Sequence, residues 1–159
     1  ELKCLFVIEN NYYSVYTPLK YRRKSGIGEV FNLLKVKSFN ADGNNVLEAD
    51  SVIKQAIKYI HKNNQPTMVF LNTYRWLEHC GPNIDDQLNY RPLKEVKTWK
   101  KKCPLETLEK KLIKEKIINL NKKNLYLNKI KKEINEAIKF AEKSLFPENN
   151  SAKEKIYAK

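Results

Sequence analysis

The chain is predicted to be an α/β protein, a parallel sheet flanked by helices, and three observations predict it. Short strand-like segments at residues 5–8, 36–39 and 67–72, the first and third built on apolar runs, alternate with stretches whose apolar residues recur at helical spacing. The first and third runs end in polar clusters, Glu9-Asn10-Asn11-Tyr12-Tyr13 and Tyr74-Arg75-Trp76-Leu77-Glu78-His79-Cys80-Gly81-Pro82. From Arg91 onward helical spacing continues with no strand between helices. An order of strand, helix, strand, helix, strand implies parallel strands joined by crossovers, and such sheets bind ligands at the carboxyl ends of their strands.

Residues 5–8 read as a buried strand, because the run is continuously apolar, short and ended by polar residues. A loop rich in aromatic and basic side chains fills 12–24. A short helix is expected over 27–34, with Ile27, Val30, Phe31 and Leu34 on one face. Residues 36–39 form the next strand, ended by the turn signal Asp42-Gly43. Val52, Ile53, Ala56, Ile57 and Ile60 then recur at helical spacing, with Asp50 or Ser51 available to cap the first amides. Residues 67–72 return to strand after the helix-stopping Asn63-Asn64-Gln65-Pro66. Helices are expected at 92–101, 104–119 and 126–145. The last carries an apolar stripe of Leu127, Ile130, Ile134, Ala137, Ile138, Ala141 and Leu145, expected to pack on the sheet domain or on a partner subunit. The chain therefore divides into an α/β domain at 1–91, a helical extension at 92–147 and a tail at 148–159 with little to bury.

A length of 159 residues suits one domain or a piece of one. The first residue is Glu1, and the chain opens directly into an apolar run without a turn or cap, so an amino-terminal truncation is expected. The net charge of +13 raises the question of nucleic acid or anionic membrane. The lysines, however, are interleaved with glutamate on helical stretches such as 105–132, the pattern of a solvated helix face. No Gly-rich basic arm, zinc-finger spacing or aromatic-interleaved basic strand accompanies them, so a nucleic-acid partner is disfavoured. Cys4, Cys80 and Cys103 form no CxxC pair, which argues against a disulfide framework or a zinc ribbon; reduced thiols and a cytoplasmic location are expected. The apolar runs are too short to cross a bilayer and no charged leader precedes a signal-like core, so a soluble protein without a membrane partner is expected.

Two polar clusters at strand ends carry the candidate chemistry. An Asn carbonyl after a strand, with a backbone carbonyl two residues on, suits a hard octahedral cation such as magnesium that bridges protein to diphosphate. The same Asn pair also reads as a plain turn. His79 reads either as an ordinary loop histidine or as a catalytic group, and its setting in a Gly-Pro-shaped loop at a strand end favours the second. Cys80 beside it is not read as a nucleophile, since adjacent residues rarely align as a dyad and no third group is evident.

A longer series of landmarks is present in order. It comprises Phe6-Val7-Ile8-Glu9-Asn10-Asn11 with Tyr13 and Thr17-Pro18; Asp42-Gly43-Asn44-Asn45-Val46; Thr73-Tyr74-Arg75 with His79; Asn89-Tyr90-Arg91, Glu95 and Trp99; Cys103-Pro104; and a closing helix at 137–147. Together they resemble the carboxyl-terminal half of the alpha subunit of the thiamine-diphosphate-dependent, decarboxylating component of 2-oxo-acid dehydrogenase complexes, of the pyruvate, acetoin and branched-chain type. The resemblance covers most of the chain.

The resemblance implies a fragment of the thiamine-diphosphate-binding fold, with thiamine diphosphate and Mg2+ as cofactors. Asn11 would bind magnesium through its side chain and Tyr13 through its backbone carbonyl, while Ser14 would sit near the diphosphate. His79 would be the catalytic residue, on a flexible loop over the thiazolium, positioning diphosphate or intermediates and assisting transfer to lipoamide. Tyr90 and Arg91 would order that loop, and Arg75 would buttress its base. The implied reaction is oxidative decarboxylation of a 2-oxo acid with acyl transfer to lipoamide, the cofactor serving as electron sink. The implied partners are a beta subunit, which in the family carries the glutamate that activates the cofactor, in a heterotetramer, and a lipoyl-bearing acyltransferase component.

The departures also carry information. The family's Gly-Asp-Gly motif precedes the Asn-Asn turn and is not among these residues, so this piece alone is expected to bind cofactor poorly and to be inactive. Ser14 stands where the family often has Gly, and Glu78-His79-Cys80 where Gly-His-Ser is commoner, a variation that points to a bacterial subfamily with a less usual substrate. Asn89 replaces a serine, so serine phosphorylation there is unsupported. A reading of a different class makes residues 105–159 a non-catalytic basic helical module, or the chain a degenerate scaffold, binding an acidic partner or nucleic acid.

Overall fold

The computed structural model describes residues 2–148 and Ser151. The expected tail thus falls almost wholly outside the described residues, as do the side chains of Ile27 and Val30 on which the apolar face of 27–34 partly rests. The chain forms two compact units, the first running to Lys111 and the second beginning at Leu112.

In order, the elements of the first unit begin with strand β1 (Leu5–Asn10), the two-residue strands β2 (Tyr13–Ser14) and β3 (Thr17–Pro18), and helices α1 (Leu19–Arg22) and α2 (Ile27–Leu33). Then come β4 (Lys37–Asp42), α3 (Val46–Asn63), β5 (Thr67–Asn72) and α4 (Leu93–Lys100). Helix α5 (Pro104–Lys114) spans the boundary between the units, and α6 (Leu120–Lys143) belongs to the second. Strands β1, β5 and β4 make a parallel sheet in the order β1-β5-β4, as the alternation of strands and helices predicts.

Burial follows from that order. β5 is central, and Thr67, Met68, Val69 and Phe70 are all buried. β1 has the same apolar character but lies at an edge, where Phe6 is 50% and Val7 45% exposed. The expected buried strand is thus an edge strand in this chain, because an apolar run reports what a strand can bury and not how many neighbours it has. The strand at 36–39 runs further, to Asp42, since parallel pairing with β5 continues to the shared last rung.

The helices correct the sequence reading mainly at their ends. α3 starts a turn before Asp50 and Ser51, capped instead by Asn45, whose side chain accepts the Glu48 amide. Glu48 Oε1 in turn accepts the Asp42 amide at 3.1 Å, which ties the first turn of α3 back to the end of β4. The supposed loop at 12–24 contains the β2–β3 hairpin and α1. The helix expected to reach residue 119 stops at Lys114, shortly before Lys116 turns left-handed (φ 58°). α6 begins at Leu120, six residues early, because Asn119 accepts the Lys122 amide at 2.9 Å. Its stripe is not buried: Ile130, Ile134 and Ile138 are each about half exposed.

All three strands end on one rung, with Asn72 opposite both Asn10 and Asp42. The ladder continues one step, as Gly43 N–H donates to the Asn72 carbonyl (2.8 Å) and Thr73 N–H to that of Asn10 (2.9 Å). A Cβ on Gly43 would lie 3.0 Å from that Asn72 oxygen and 3.0 Å from Leu71 Cβ, so only glycine lets the chain leave β4 this close to β5. Three polar segments therefore depart from one line across the carboxyl edge.

Candidate cofactor and metal site

The turn after β1 is built from asparagine. Asn10 Oδ1 accepts the Tyr12 amide (3.2 Å) and Asn11 Oδ1 the Tyr13 amide (3.0 Å), two overlapping Asx turns that carry Tyr12 through a left-handed φ of 65°. Across the sheet, Asn10 Nδ2 donates to Asn72 Oδ1 and Asn72 Nδ2 to Asn40 Oδ1, each at 3.1 Å, which ties the turn to the other two strand ends. The chain then folds back as the β2–β3 hairpin, where Tyr13 faces Pro18. Leu19 N–H bonds the Tyr12 carbonyl (2.8 Å). Since bonded and non-bonded pairs alternate along an antiparallel ladder, the Tyr13–Pro18 pair is a non-bonded one, which suits Pro18 and turns the Tyr13 carbonyl outward. Asn11 Oδ1, which meets the Tyr13 amide on that same outward edge, retains a second lone pair.

Beside this turn lies a cavity of about 280 Å³ lined by Glu9, Asn11, Thr73, Tyr74 and Arg75. Arg75 Nη2 donates to the Val15 carbonyl and to Tyr90 Oη, both at 2.9 Å. Its buried Nη1 has no hydrogen-bond partner among the described residues. Amide and carbonyl oxygens next to a guanidinium with an unused donor suit a hard cation held against an anionic phosphate group. The residues present therefore fit such a group.

The segment after β5 is held by a buried ion pair. Arg91 and Asp85, both with side chains 2% exposed, pair directly, and Arg91 Nη1 also donates to the Arg75 carbonyl. Tyr90 Oη donates to Asp85 Oδ2 at 2.6 Å. Burial first, and then that carboxylate, push the Tyr90 phenol up to about 12, against the opposing pull of Arg91 and Arg75. Between these anchors, Glu78 closes a small loop. It accepts from the Asn83 side chain (2.7 Å) and gives its own amide to the Asn83 carbonyl (2.9 Å), and a Cβ on Gly81 would collide with its carboxylate. His79 and Cys80 ride on that loop, exposed.

Tyr13 and Tyr74 converge on α4. Both hydroxyls donate to Glu95 Oε1, at 2.7 and 2.9 Å. Burial first and Glu95 second push Tyr13 up to about 12 and raise Tyr74 as well. Trp99, one turn later, stacks on Tyr74 with centroids 5.3 Å apart and planes 7° from parallel, and meets Tyr12 at 5.8 Å. Tyr90 packs edge-on against Tyr13 and Tyr16.

Of the residues singled out in the sequence, Asn11, Tyr13, Arg75, Tyr90 and Arg91 thus belong to one connected network. Ser14 lies exposed on the hairpin, and His79 has no hydrogen-bond partner among the described residues. Asp85, Glu95 and the Asn72–Asn40 link were given no site role in the sequence reading. An acidic pair, Asp85-Asp86, just ahead of Tyr90-Arg91 in a lysine-rich chain was the available signal for the first. Among the described residues no group of three His, Cys, Asp or Glu could hold a metal.

The family profile described as "Dehydrogenase E1 component" matches residues 1–150. The pyruvate dehydrogenase E1 component subunit alpha of Rickettsia felis is 29% identical over 160 residues, covering 98% of this chain and 47% of that protein. The protein of the same name from Staphylococcus aureus (strain Mu50) is 30% identical over 139 residues, 87% of this chain and 37% of its own length. The mitochondrial 2-oxoisovalerate dehydrogenase subunit alpha of Mus musculus is 29% identical over 149 residues, 92% of this chain and 33% of its own. The chain thus spans about half the length, or less, of these relatives. With a profile match over nearly every residue, the chain belongs to the dehydrogenase E1 component family.

Proposed function

We propose that this chain is the carboxyl-terminal half of the alpha subunit of a thiamine-diphosphate-dependent 2-oxo-acid dehydrogenase, acting in oxidative decarboxylation with acyl transfer to lipoamide. The observation that carries the reading is the Asn11 side-chain oxygen in a cavity it lines together with Arg75, with the outward Tyr13 carbonyl two residues further along the same turn. Asn11 and Tyr13 hold Mg2+ through those oxygens, and Ser14 lies towards the diphosphate. When bound, the cofactor supplies the electron sink that lets carbon dioxide leave. The chain's own residues orient it: Arg75, locked by Tyr90 and Val15, fixes the base of the loop, and the Arg91–Asp85 pair holds the far end. His79, exposed and without a hydrogen-bond partner among the described residues, is the proton-carrying group that the loop brings to the reacting substrate.

The relatives are named as alpha subunits, which supports work with another subunit; the proposed assembly is a heterotetramer with a beta subunit, with a lipoyl-bearing acyltransferase as acyl acceptor. The free thiols of Cys4, Cys80 and Cys103 accord with the reducing cytoplasm proposed as its location. Among the described residues no helix is long and apolar enough to cross a membrane.

The reading is tested by calorimetric titration of the full-length complex with thiamine diphosphate and magnesium. Asn11→Ala should weaken binding by roughly 10–100-fold, as loss of a metal-site residue does. His79→Ala should leave binding largely intact and lower turnover by roughly 100-fold or more, the usual scale for a lost proton-transfer group. Unchanged affinity in the first and unchanged turnover in the second would refute the proposal.

A further inference from the structure

Two segments carry the proposed site, the turn after β1 and the loop after β5, and they meet on one helix. Glu95, in the first turn of α4, accepts two phenolic hydrogen bonds on a single oxygen, one from Tyr13 and one from Tyr74. Those residues are 82 and 21 positions away in the chain. Trp99, four residues on and therefore on the same helix face, repeats the contact pattern with Tyr12 and Tyr74. Val96 between them is 2% exposed and anchors the helix. The hydrogen bonds are charge-assisted, short and half-buried, which makes them stronger than neutral ones.

We propose that Glu95 is the positioning residue that couples the metal-binding turn to the histidine-bearing loop. Tyr13 is gripped at its hydroxyl while its carbonyl serves the metal, so the Glu95 contact fixes the plane of the peptide that supplies that oxygen. Tyr74 is gripped two residues after β5, immediately before Arg75 and five before His79. Ordering one segment therefore orders the other through a single carboxylate oxygen. Glu95 itself touches neither metal nor substrate in this role.

The inference rests on the proposed function for its cofactor arm only. In the full-length chain assembled with its partner subunit, Glu95→Ala should weaken magnesium-dependent thiamine diphosphate binding about 10-fold, and turnover at saturating cofactor should fall as the histidine-bearing loop loosens. Glu95→Gln, which keeps an acceptor oxygen, should restore most of that affinity. Without cofactor, amide hydrogen exchange read by mass spectrometry should quicken at 11–14 and at 76–83 together, both in Glu95→Ala and in the milder Tyr74→Phe. Exchange that quickens in Tyr74→Phe only at 76–83 would overturn the coupling, and a Gln variant as weak as Ala would overturn the positioning role. A wild-type complex that binds no cofactor would defeat the functional reading alone, leaving the exchange result to decide the coupling.

Discussion

At the scale of single residues, the Asp85–Arg91 pair carries the largest stake. Both side chains are 2% exposed, so removing one leaves a buried charge without its partner. Asp85→Ala should cost about 3–5 kcal/mol in urea unfolding, far more than removal of an exposed pair such as Lys54–Asp50. The tyrosines give a pH signature. Tyr90 is held up at about 12 and Tyr74 is raised too, against 10.0 for a free phenol. Between pH 10 and 12 the unfolded chain loses protons that the folded chain retains, so their stabilising contribution is complete below 10 and fades as pH rises through that window. The urea midpoint should fall between about pH 9 and about pH 11, and fall less in Tyr90→Phe. Asn11, Tyr13, Arg75, Tyr90 and Arg91 were site candidates through the family resemblance, whose landmarks lie in compact local motifs. Glu95 was legible as a landmark and not as a hub, since its two partners come from segments that only the fold brings together.

At the scale of elements, the sequence showed periods well and ends poorly. The apolar spacing of α3 was plain from Val52 to Ile60, but its start depends on the Asn45 and Glu48 side chains, which close the first turn against the Asp42 amide. Asn45→Ala should cost about 1 kcal/mol, measurable as a lowered unfolding midpoint with an unchanged denaturant slope. The parallel sheet was legible from the alternation of elements, whereas the edge position of β1 was not, because nothing in an apolar run specifies its neighbours. Gly43→Ala tests the close approach of β4 and β5. A methyl 3.0 Å from a backbone oxygen must push the strands apart at the shared rung, so protection of the Thr73 amide should drop along with stability.

At the scale of the whole molecule, the net charge of +13 resolves into a solvated surface. On α6, lysines pair with glutamates one turn on, as in Lys129–Glu133 and Lys132–Glu136, and add little stability individually. Apolar residues are uncovered as well: Phe6 and Val7 on β1, and Leu127, Ile130, Ile134 and Ile138 on α6. Surfaces of that kind bind hydrophobic dyes. The 159-residue chain by itself should therefore enhance the fluorescence of anilinonaphthalene sulfonate strongly, and the full-length assembled complex should not. Equal dye binding by the two would mean that these faces stay open in the working protein.

The non-bonded rung at Tyr13 and Pro18 has a consequence for heredity. One of the two proposed magnesium ligands is a peptide oxygen, and peptide oxygens are encoded at every position. Side-chain scanning is therefore blind to it: replacing Tyr13 removes a hydroxyl grip and never the ligand. Pro18 is the position where drift would matter, because any other residue there brings an amide proton and with it a second way to pair the hairpin.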